Sequence, residues 1–441
     1  MSGSPPFRVE LRRRRVAAEL SLGELAKRVH YSKGHLSKVE SGQKQASIEL
    51  VRLCDAELGA HGELIRLLPA TPGTGDAGDQ PDGAAAGADE DDWVIAVGDS
   101  GGYFAPVNGS HPPANGAAPV LGMTFGGPAR ADTTAALAPF LARFDEARNL
   151  GQVAGPATVF PLVIVESRTL RILAGQAPRD EQAALFRLAA RYAEFAGWMA
   201  QEAGDDRMAW WLTLKAVEMA DAGGDGSLRL YALVRRAEIE LHRDNALSVI
   251  ELATGVAQHA QAPMRIRGLA AQREAQGHAM AGDYTACLHA IERSAGLLAD
   301  AAAEARVGPE LGTARTPDLV ALTHGWCLHD LGRSAEAADI LDAGIAQFAP
   351  GAHRARVRYQ ARAALAYATA GELERACELV VSLLDQLLIL DSATIRHDLY
   401  NLARVLGRWR SHPTTCALLP ALTGLLQESR KVLPAGVLSG H

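Results

Sequence analysis

Apolar residues in the first part of the chain recur at the spacing of one helix face, and turn residues separate the runs. The first run predicts a helix over residues 7–19 whose apolar positions Leu11 and Val16 point inward while its arginines point outward. A later run predicts a fourth helix and a fifth that end near Leu68, with apolar positions at Ile48, Leu50, Leu53, Cys54 and Leu58. Together the runs predict a small helical domain over residues 1–68.

Serine residues mark the starts of two further helices between these runs. Ser21 begins a Ser-Leu-Gly-Glu capping box, in which a hydroxyl and a carboxylate satisfy the free amides at a helix start, and it predicts a helix over residues 22–29. Ser32 predicts the start of a third helix over residues 33–41, and Gly42 ends that helix. The sequence thus predicts two consecutive short helices with defined ends.

These N-terminal motifs resemble the core of the Cro/C1-type (XRE family) helix-turn-helix, in order along the chain: Leu25-Ala26, Tyr31-Ser32 and Leu36 to Gly42. The resemblance to actinobacterial members rests on Leu53-Cys54-Asp55 and Gly62-Glu63-Leu64. The chain departs from the family at His30, where glycine is usual, and at Gln45-Ala46, where a proline commonly precedes the Ser47 cap. Histidine tolerates the left-handed backbone expected at that turn better than a branched residue does.

In this family the second helix of the pair lies in the major groove, and the resemblance implies a base-reading set of Lys33, Gly34, His35, Ser37 and Lys38. It implies contacts with the DNA backbone at the two flanks, from Ser21, Leu22, Gln43 and Lys44. It also implies a structural ion pair between Arg15 and Glu40. Taken alone, each lysine is more typical of a solvated surface charge, so the interpretation rests on their shared placement on one helix.

The composition changes over residues 69–132 to Gly, Ala, Pro and Asp, and no Lys or Arg occurs between Ala70 and Arg130. Such a segment has too little apolar surface to offset the entropy lost on ordering, so we expect a flexible acidic linker. An apolar island over residues 93–104 surrounds a Gly-rich turn and predicts a short hairpin, which could dock on the rest of the chain.

Residues 133–430 are rich in Ala, Leu and Arg and show helical runs broken at glycines. Four glycines each have a small residue seven positions earlier and another five positions later: Gly204, Gly282, Gly332 and Gly371. Their spacings of 78, 50 and 39 residues predict a unit of about 39 residues, with two units in the first step and an insertion in the second. The unit without such a glycine is expected to turn around residues 242–245.

Small residues at these offsets let two antiparallel helices approach closely, and glycine suits the left-handed backbone of the turn between them. The pattern resembles tetratricopeptide repeats (TPR) over about residues 185–390, with Gly282-Asp283-Tyr284 as the turn between the helices of a pair. The resemblance implies an α-solenoid. The expected fold class is therefore all-α: an N-terminal helix-turn-helix domain over residues 1–68, a flexible acidic linker over 69–132, and a C-terminal TPR-like solenoid over 133–430.

By the same resemblance, the first helix of each pair forms the inner wall of the solenoid. The repeat pattern, placed on the four glycines, assigns ten wall residues as candidates for a ligand groove: Arg191, Glu194, Trp198, Gln201, Gln272, Gln276, Met280, Trp326, His329 and Arg358. Trp, Met, Gln and Arg side chains suit a bound peptide or a partner helix. A register error of one residue would instead make some of them core residues between repeats.

The net charge of −7 is unevenly distributed along the chain. Residues 1–68 hold 12 Lys and Arg against 8 Asp and Glu, a charge of +4, which leaves −11 for the remainder. A basic head and an acidic body are expected if only the head approaches a polyanion, although any small helical domain can be slightly basic.

Composition also narrows the function classes. The longest apolar stretch, near Phe160 to Val165, is far shorter than a membrane span, and no export signal is visible. The five cysteines lack the paired spacing of metal or redox sites and are expected as small buried residues in a reducing cytoplasm. Phosphate-loop, dinucleotide, serine-hydrolase and zinc-protease motifs do not occur, so we expect neither an enzyme nor a cofactor or metal site.

These observations favour a cytoplasmic, sequence-specific transcription regulator that binds double-stranded DNA and has no membrane partner. Its architecture resembles peptide-sensing regulators that join such a head to helical repeats, and we expect a homodimer with a peptide, small-molecule or protein effector in the repeat groove. The alternative is a helical-repeat interaction scaffold whose head does not bind DNA. The intact helix caps and the basic second helix of the pair favour the regulator.

Overall fold

A computed structural model describes residues 6–68, 93–98, 101–106, 132–303, 311–312, 316 and 318–431. The chain divides into two compact units. The first unit combines the N-terminus with most of the later helices and comprises Met1–Gly73, Arg229–Leu387 and Thr394–Leu426. The second unit comprises Thr74–Leu228, Leu388–Ala393 and Gln427–His441.

Residues 6–68, called the head below, contain four α-helices and a short 3-10 helix: α1 (Phe7–Ala17), α2 (Leu22–Arg28), α3 (Lys33–Glu40), α4 (Ile48–Glu57) and Ile65–Leu67. The helices enclose their own apolar core. Its central leucines are all 0% exposed, and they are Leu11, Leu25, Leu36, Leu50 and Leu64. Since each helix contributes to this core, the head is a compact helical body.

The prediction that Val16 points inward was wrong, since this residue is 59% exposed. Val16 lies five residues after Leu11, and with 3.6 residues per turn this separation places it about 140° around α1. The residue that packs on the head core beside Leu11 is Phe7, which lies four positions earlier and therefore on the same helix face.

The second unit has a hairpin and four helices in its described part: β1 (Trp93–Gly98), β2 (Gly101–Pro106), α5 (Thr133–Leu150), α6 (Pro156–Gln176), α7 (Arg179–Ala203) and α8 (Asp206–Ala222). The strands are antiparallel, with Trp93 opposite Pro106 and Gly98 opposite Gly101, and β2 lies beside α6. Helix α7 packs between α6 and α8. The predicted linker over residues 69–132 otherwise lies outside the described residues, except for Asp132.

The remaining helices, most of whose residues belong to the first unit, are α9 (Ser227–His242), α10 (Ala246–Ala257), α11 (Met264–Met280), α12 (Tyr284–Ala303), α13 (Leu319–Asp330), α14 (Ser334–Ile345), α15 (His353–Ala370), α16 (Leu373–Val381), α17 (Leu384–Leu390), α18 (Ala393–Leu406) and α19 (Pro413–Lys431). A short 3-10 helix, Gly407–Trp409, separates the last two. Consecutive helices α10 to α16 pack on one another, and α13 also contacts α11 and α15. The expected all-α fold is confirmed.

The four glycines of the repeat pattern lie at turns between helices and have left-handed backbones, with φ of 90° at Gly204, 77° at Gly282, 81° at Gly332 and 87° at Gly371. The small residues around them are buried where the helices cross, at 0% exposed for Ala209, Ala275, Cys287, Ala337, Ala364 and Ala376. In the unit without a glycine, Asp244 turns the chain between α9 and α10 with φ of 56°. Short side chains and left-handed turns therefore set the helix pairing.

Four of the five cysteines are buried, as expected, but Cys416 is exposed and corrects that expectation. In the part of the chain that the structure describes, no helix is both long and apolar enough to cross a membrane. The described residues also contain no group of three or more His, Cys, Asp or Glu side chains that could hold a metal ion.

The left-handed turn at Gly204 predicts a local loss of stability on Gly204→Ala. An alanine there has a strained left-handed backbone, and its Cβ contacts the Ala393 side chain. The free energy of local unfolding of α7 and α8 should therefore fall by about 1–2 kcal/mol. Hydrogen exchange of the α7 and α8 amides measures this change. Gly175→Ala is the matched control, because Gly175 is helical with open space around it and the substitution should stabilise α6 by up to about 1 kcal/mol. Equal exchange in the two variants would contradict the assignment of strain to Gly204.

Candidate nucleic-acid interface and repeat wall

Helices α2 and α3 begin at the serine caps expected from the sequence. The Glu24 amide donates to Ser21 Oγ at 3.1 Å, and the Ser21 amide donates to Glu24 Oε2 at 2.7 Å, which completes a capping box. The His35 amide donates to Ser32 Oγ at 3.1 Å at the start of α3. Both helix starts are therefore fixed by short local hydrogen bonds.

The turn between α2 and α3 is held by backbone contacts. His30 has a left-handed backbone with φ of 54°, and the amide of Tyr31 donates to the carbonyl of Ala26 at 2.9 Å. After α3, Gly42 also turns left-handed with φ of 77°. Both ends of α3 are thus defined, and its direction relative to α2 is fixed.

Helix α3 is divided into a buried face and an exposed one. Leu36 and Val39 are buried in the head core. The opposite face is exposed at four of the predicted base-reading positions, which are Lys33, Gly34, Ser37 and Lys38. Of the predicted backbone contacts, Ser21, Gln43 and Lys44 are exposed and Leu22 is half-buried. The structure therefore gathers these residues on one accessible surface around α3.

His35 differs from its neighbours on α3. It is half-buried, and its ring lies edge-on to that of Tyr31 with the centroids 5.1 Å apart. Burial and then the nearby charge of Lys44 lower the pKa of His35. The lowered pKa favours the neutral ring, so His35 adds less charge to this surface than the lysines do.

Arg15 on α1 and Glu40 on α3 form a bidentate ion pair. Arg15 Nε donates to Glu40 Oε1 at 2.6 Å and Nη2 donates to Oε2 at 2.9 Å, while Nη1 donates to the Leu20 carbonyl at 2.8 Å. Both side chains are mostly buried, at 12% and 10% exposed. The guanidinium therefore ties the last turn of α3 to α1 and to the start of the α2 region.

Glu10 neutralises part of the arginine run of α1. Arg13 and Arg14 both donate to its carboxylate, at 2.5 to 2.7 Å. The hydrogen bond from Arg13 is the main cause that lowers the pKa of Glu10 to about 2. Since Glu10 stays ionised, these two arginines contribute less to the positive field of the head than their number suggests.

The head also contacts the helical repeats of the first unit, on the side of α4. Arg52 Nη1 donates to Asp330 Oδ1 at 2.9 Å, and both side chains are mostly buried. Arg404 Nη2 lies 2.6 Å from Glu49 Oε1. Arg408 places its guanidinium 4.7 Å from the centre of the Tyr31 ring. These contacts hold the head against α13, α18 and the 3-10 helix Gly407–Trp409, and they leave the exposed face of α3 uncovered.

Three of the left-handed glycines form close approaches between the repeats and the head. A Cβ at any of them would collide with a head residue, and the pairs are Gly282 with Gly62, Gly332 with Arg52, and Gly371 with His30. Burial lowers the pKa of His30, which favours the neutral ring at this contact. Glycine is therefore needed at these turns both for the backbone conformation and for the head contact.

Sequence reasoning did not find this contact. Arg52 and Asp330 are 278 residues apart, and neither belongs to a local motif. The glycine pattern is the one available signal, and it predicts helix pairing without indicating the contact with the head. Charge pairs between distant segments leave no periodicity that a single sequence could reveal.

The four wall candidates of the second unit lie on α7. Arg191 Nη2 donates to Asp225 Oδ2 at 2.9 Å, and Trp198 stacks on Phe195 with centroids 5.6 Å apart. Gln201 is 3% exposed, while Glu194 is half-buried. Gln201 therefore lies in the interior of this unit, whereas Arg191, Glu194 and Trp198 lie partly exposed at the edge of that interior.

The six wall candidates of the first unit lie on three helices, and they are Gln272, Gln276, Met280, Trp326, His329 and Arg358. The three on α11 are buried, with Gln272 at 0%, Gln276 at 2% and Met280 at 8% exposed. The other three are half-buried. Trp326 Nε1 donates to Asp330 Oδ2 at 2.8 Å, so one wall candidate contacts the same carboxylate that binds the head.

Comparison with known proteins identifies the head. Residues 6–68 match the family described as "Helix-turn-helix domain", so the head is a helix-turn-helix domain in which α2 and α3 are the paired helices. A similar solved structure is a crystal structure of Rap protein complexed with competence and sporulation factor. It shares 15% sequence identity, covers 68% of this chain and 87% of its own, and superposes with a TM-score of 0.44. No curated protein matches the chain.

The Arg15–Glu40 pair predicts a measurable energetic coupling. Glu40→Ala should cost on the order of 1–3 kcal/mol, because it leaves a mostly buried guanidinium poorly paired. A double-mutant cycle with Arg15→Ala, measured by urea unfolding of the full chain, should show coupling. Glu57→Ala is the control, because its partner Arg28 is about half exposed and that pair should contribute less than about 1 kcal/mol. Additive single-mutant effects in the Arg15–Glu40 cycle would remove the claim.

The Arg52–Asp330 pair predicts that head docking depends on charge. In a Cys416→Ser background, cysteines at Glu49 and Arg404 should be joined efficiently by a short bifunctional maleimide, since these side chains touch. Arg52→Glu places two carboxylates together and should lower the intrachain cross-linking yield several-fold. Adding Asp330→Arg restores opposite charges and should recover the yield. A yield unaffected by either change would show that this pair does not hold the head.

Proposed function

We propose that this protein is a sequence-specific, DNA-binding transcription regulator of the XRE type, whose TPR-like repeats bind an effector. One observation carries the proposal. Both ends of α3 are fixed, its inner face is buried, and its polar and basic face is exposed. An α-helix presented in this way can enter the major groove.

The chemistry of the exposed face fits a DNA duplex. Lys33 and Lys38 supply cations that can reach guanine O6 and N7, and Gly34 has open space around it, so the backbone can approach the bases. Ser21, Gln43 and Lys44 flank the helix on both sides, where phosphates would lie. The charge of +4 over residues 1–68 supports the approach to a polyanion.

In this proposal the helical repeats bind the effector and mediate homodimer formation. Their wall combines Trp326, His329 and Arg358, which suit a peptide, a small molecule or a partner protein. We propose a cytoplasmic homodimer, because two heads reading an inverted repeat gain affinity together. In this proposal the repeats catalyse no reaction, and their wall acts only by binding the effector.

Variants of two lysines should separate base reading from phosphate binding. Lys33→Ala should cost about 1–3 kcal/mol at the preferred operator and relax the preference at one base pair. Lys44→Ala should weaken binding to all sequences about equally and reduce the salt slope by about one unit. Selection of the full-length protein on random DNA, followed by affinity measurement across salt concentrations, distinguishes the two effects.

Lys27→Ala is the control for this selection, because Lys27 is exposed on α2 and lies outside the predicted contact set. It should leave the selected motif unchanged. Enrichment of no motif by the wild-type chain, or the same motif from a Lys33→Ala and Lys38→Ala double variant, would mean that α3 does not read bases. The head would then serve an interaction scaffold.

A further inference from the structure

The segment of the repeats that touches the turn between α2 and α3 contains several arginines. It runs from the end of α18 through the 3-10 helix Gly407–Trp409 and includes Arg404 and Arg408. Arg404 lies 2.6 Å from Glu49, so a head carboxylate balances its charge. Among the described residues, no carboxylate forms an ion pair with Arg408. This segment therefore places an uncompensated positive charge beside the head.

Tyr31 fixes the position of Arg408 beside α3. The Arg408 guanidinium lies over the Tyr31 ring, 4.7 Å from its centre, and the Tyr31 hydroxyl lies 3.3 Å from Ser47 Oγ at the start of α4. The His35 ring on α3 meets the same tyrosine edge-on, with the ring centroids 5.1 Å apart. Tyr31 thus lies between a cation of the repeats and a side chain of α3.

The hydrogen-bond donors of Arg408 are only partly used. Its Nε donates to the Val405 carbonyl at 3.3 Å. Neither of its Nη atoms has a hydrogen bond or an ion pair with a residue that the structure describes, and the side chain is half-buried. A guanidinium that stacks on an aromatic ring keeps the donors in its own plane free for a second partner. Arg408 can therefore contact Tyr31 and bind an anion at the same time.

Three cations from three segments lie around His35. Lys38 belongs to α3, Lys44 follows α3, and Arg408 belongs to the repeats. The Lys44 amide donates to the Lys38 carbonyl at 3.1 Å, which keeps these two residues together. Burial is the largest cause that lowers the pKa of His35, and the charges of Lys44, Arg408 and Lys38 lower it further. One edge of α3 therefore carries three positive charges.

Several arginines elsewhere on the head are paired with carboxylates, as Arg15 is with Glu40. Within the described part of the chain, none of the three cations around His35 has such a partner. Paired charges largely cancel, whereas unpaired cations beside a helix that enters the major groove can face the phosphates that border the groove. The edge of α3 at His35 therefore suits the backbone of a DNA duplex.

We propose that the DNA-binding surface extends from the head onto the repeats, where Arg408 binds a phosphate of the duplex that α3 enters, next to the phosphate bound by Lys44. The inference rests on the proposed regulator function and adds to it a contact from outside the helix-turn-helix domain. The planar fork of guanidinium donors suits the oxygens of a phosphate. The docked repeats therefore contribute affinity for DNA without reading its bases.

The salt dependence of DNA binding tests this contact in the full-length chain. Between about 50 and 200 mM salt, Arg408→Gln should reduce the slope of log Kd against log salt by about one unit, because each neutralised phosphate releases condensed counterions. Arg408→Lys retains the charge and should keep the wild-type slope. Arg375→Gln is the matched control, because it removes one positive charge from an arginine held by Asp342, and it should also keep the slope. Equal slopes for the wild type and Arg408→Gln overturn the proposal.

Neutral phosphate analogues locate the contact on the DNA. A methylphosphonate replaces one phosphate at a time along both strands of the operator and removes the charge at that position. The wild type should lose affinity at a position where Arg408→Gln loses none, and a second position should show the same relation for Lys44→Ala. If Arg408→Gln responds at every position as the wild type does, Arg408 does not touch the DNA backbone.

A docking readout separates a direct contact from a loosened head. The maleimide cross-link between cysteines at positions 49 and 404 reports docking of the head on the repeats. Arg408→Gln should retain most of the cross-linking yield, because Arg52 and Asp330 still hold the head. A reduced salt slope with a retained yield supports the phosphate contact. A reduced slope with a several-fold lower yield would make Arg408 a docking residue only and would overturn the proposal.

These outcomes also separate the inference from the proposed function. If the chain binds duplex DNA but selects no motif, the regulator is wrong, and the salt slope on that duplex still decides whether Arg408 binds a phosphate. If the chain selects a motif while Arg408→Gln keeps the wild-type slope, the regulator stands and the inference is wrong. If the chain binds no duplex, both are wrong.

Discussion

The close approach of the head to the left-handed glycine turns of the repeats is the constraint on which the rest of the structure depends. At Gly282, Gly332 and Gly371 the absence of a Cβ lets two helices join in a tight turn and lets the head lie directly against that turn. A side chain at these positions would strain the backbone and push the head away at the same time. The pairing of the repeat helices and the docking of the head are therefore set by the same residues.

This double use explains which parts of the fold could be predicted from the sequence. Helix caps such as Ser21 and Ser32, and the left-handed turn at His30, depend on residues a few positions apart, and local chemistry specifies them. The glycine spacing similarly revealed the helix pairs, because each turn requires the same backbone conformation. These features are local or periodic, and a single sequence contains both kinds of information.

The remaining features depend on contacts that have no periodicity. Arg52 meets Asp330 only because the head lies against α13, and no property of either residue in the sequence distinguishes it from other surface charges. The placement of Val16 failed for a different reason, since apolar character alone does not fix direction when the spacing is five rather than three or four. Similarly, the repeat pattern places Gln272 and Gln276 on the inner wall as ligand candidates, whereas the structure buries them at 0% and 2% exposed, which depends on how α11 and its neighbouring helices pack.

The orientation of the head restricts how any effector in the repeats can act. The residues that touch the repeats come from α4, from the turn at His30 and Tyr31, and from the segment around Gly62, whereas the exposed face of α3 lies elsewhere on the head. Binding in the repeats therefore has no need to uncover α3, because these contacts do not cover it. Such binding can instead change how tightly and at what angle the head docks on the repeats. The reason is that Asp330 contacts both the wall residue Trp326 and the head residue Arg52. On the proposed regulator function, binding in the repeats would change the geometry with which α3 is presented to DNA, and in the proposed dimer that geometry would decide which spacing of two half-sites both heads reach together.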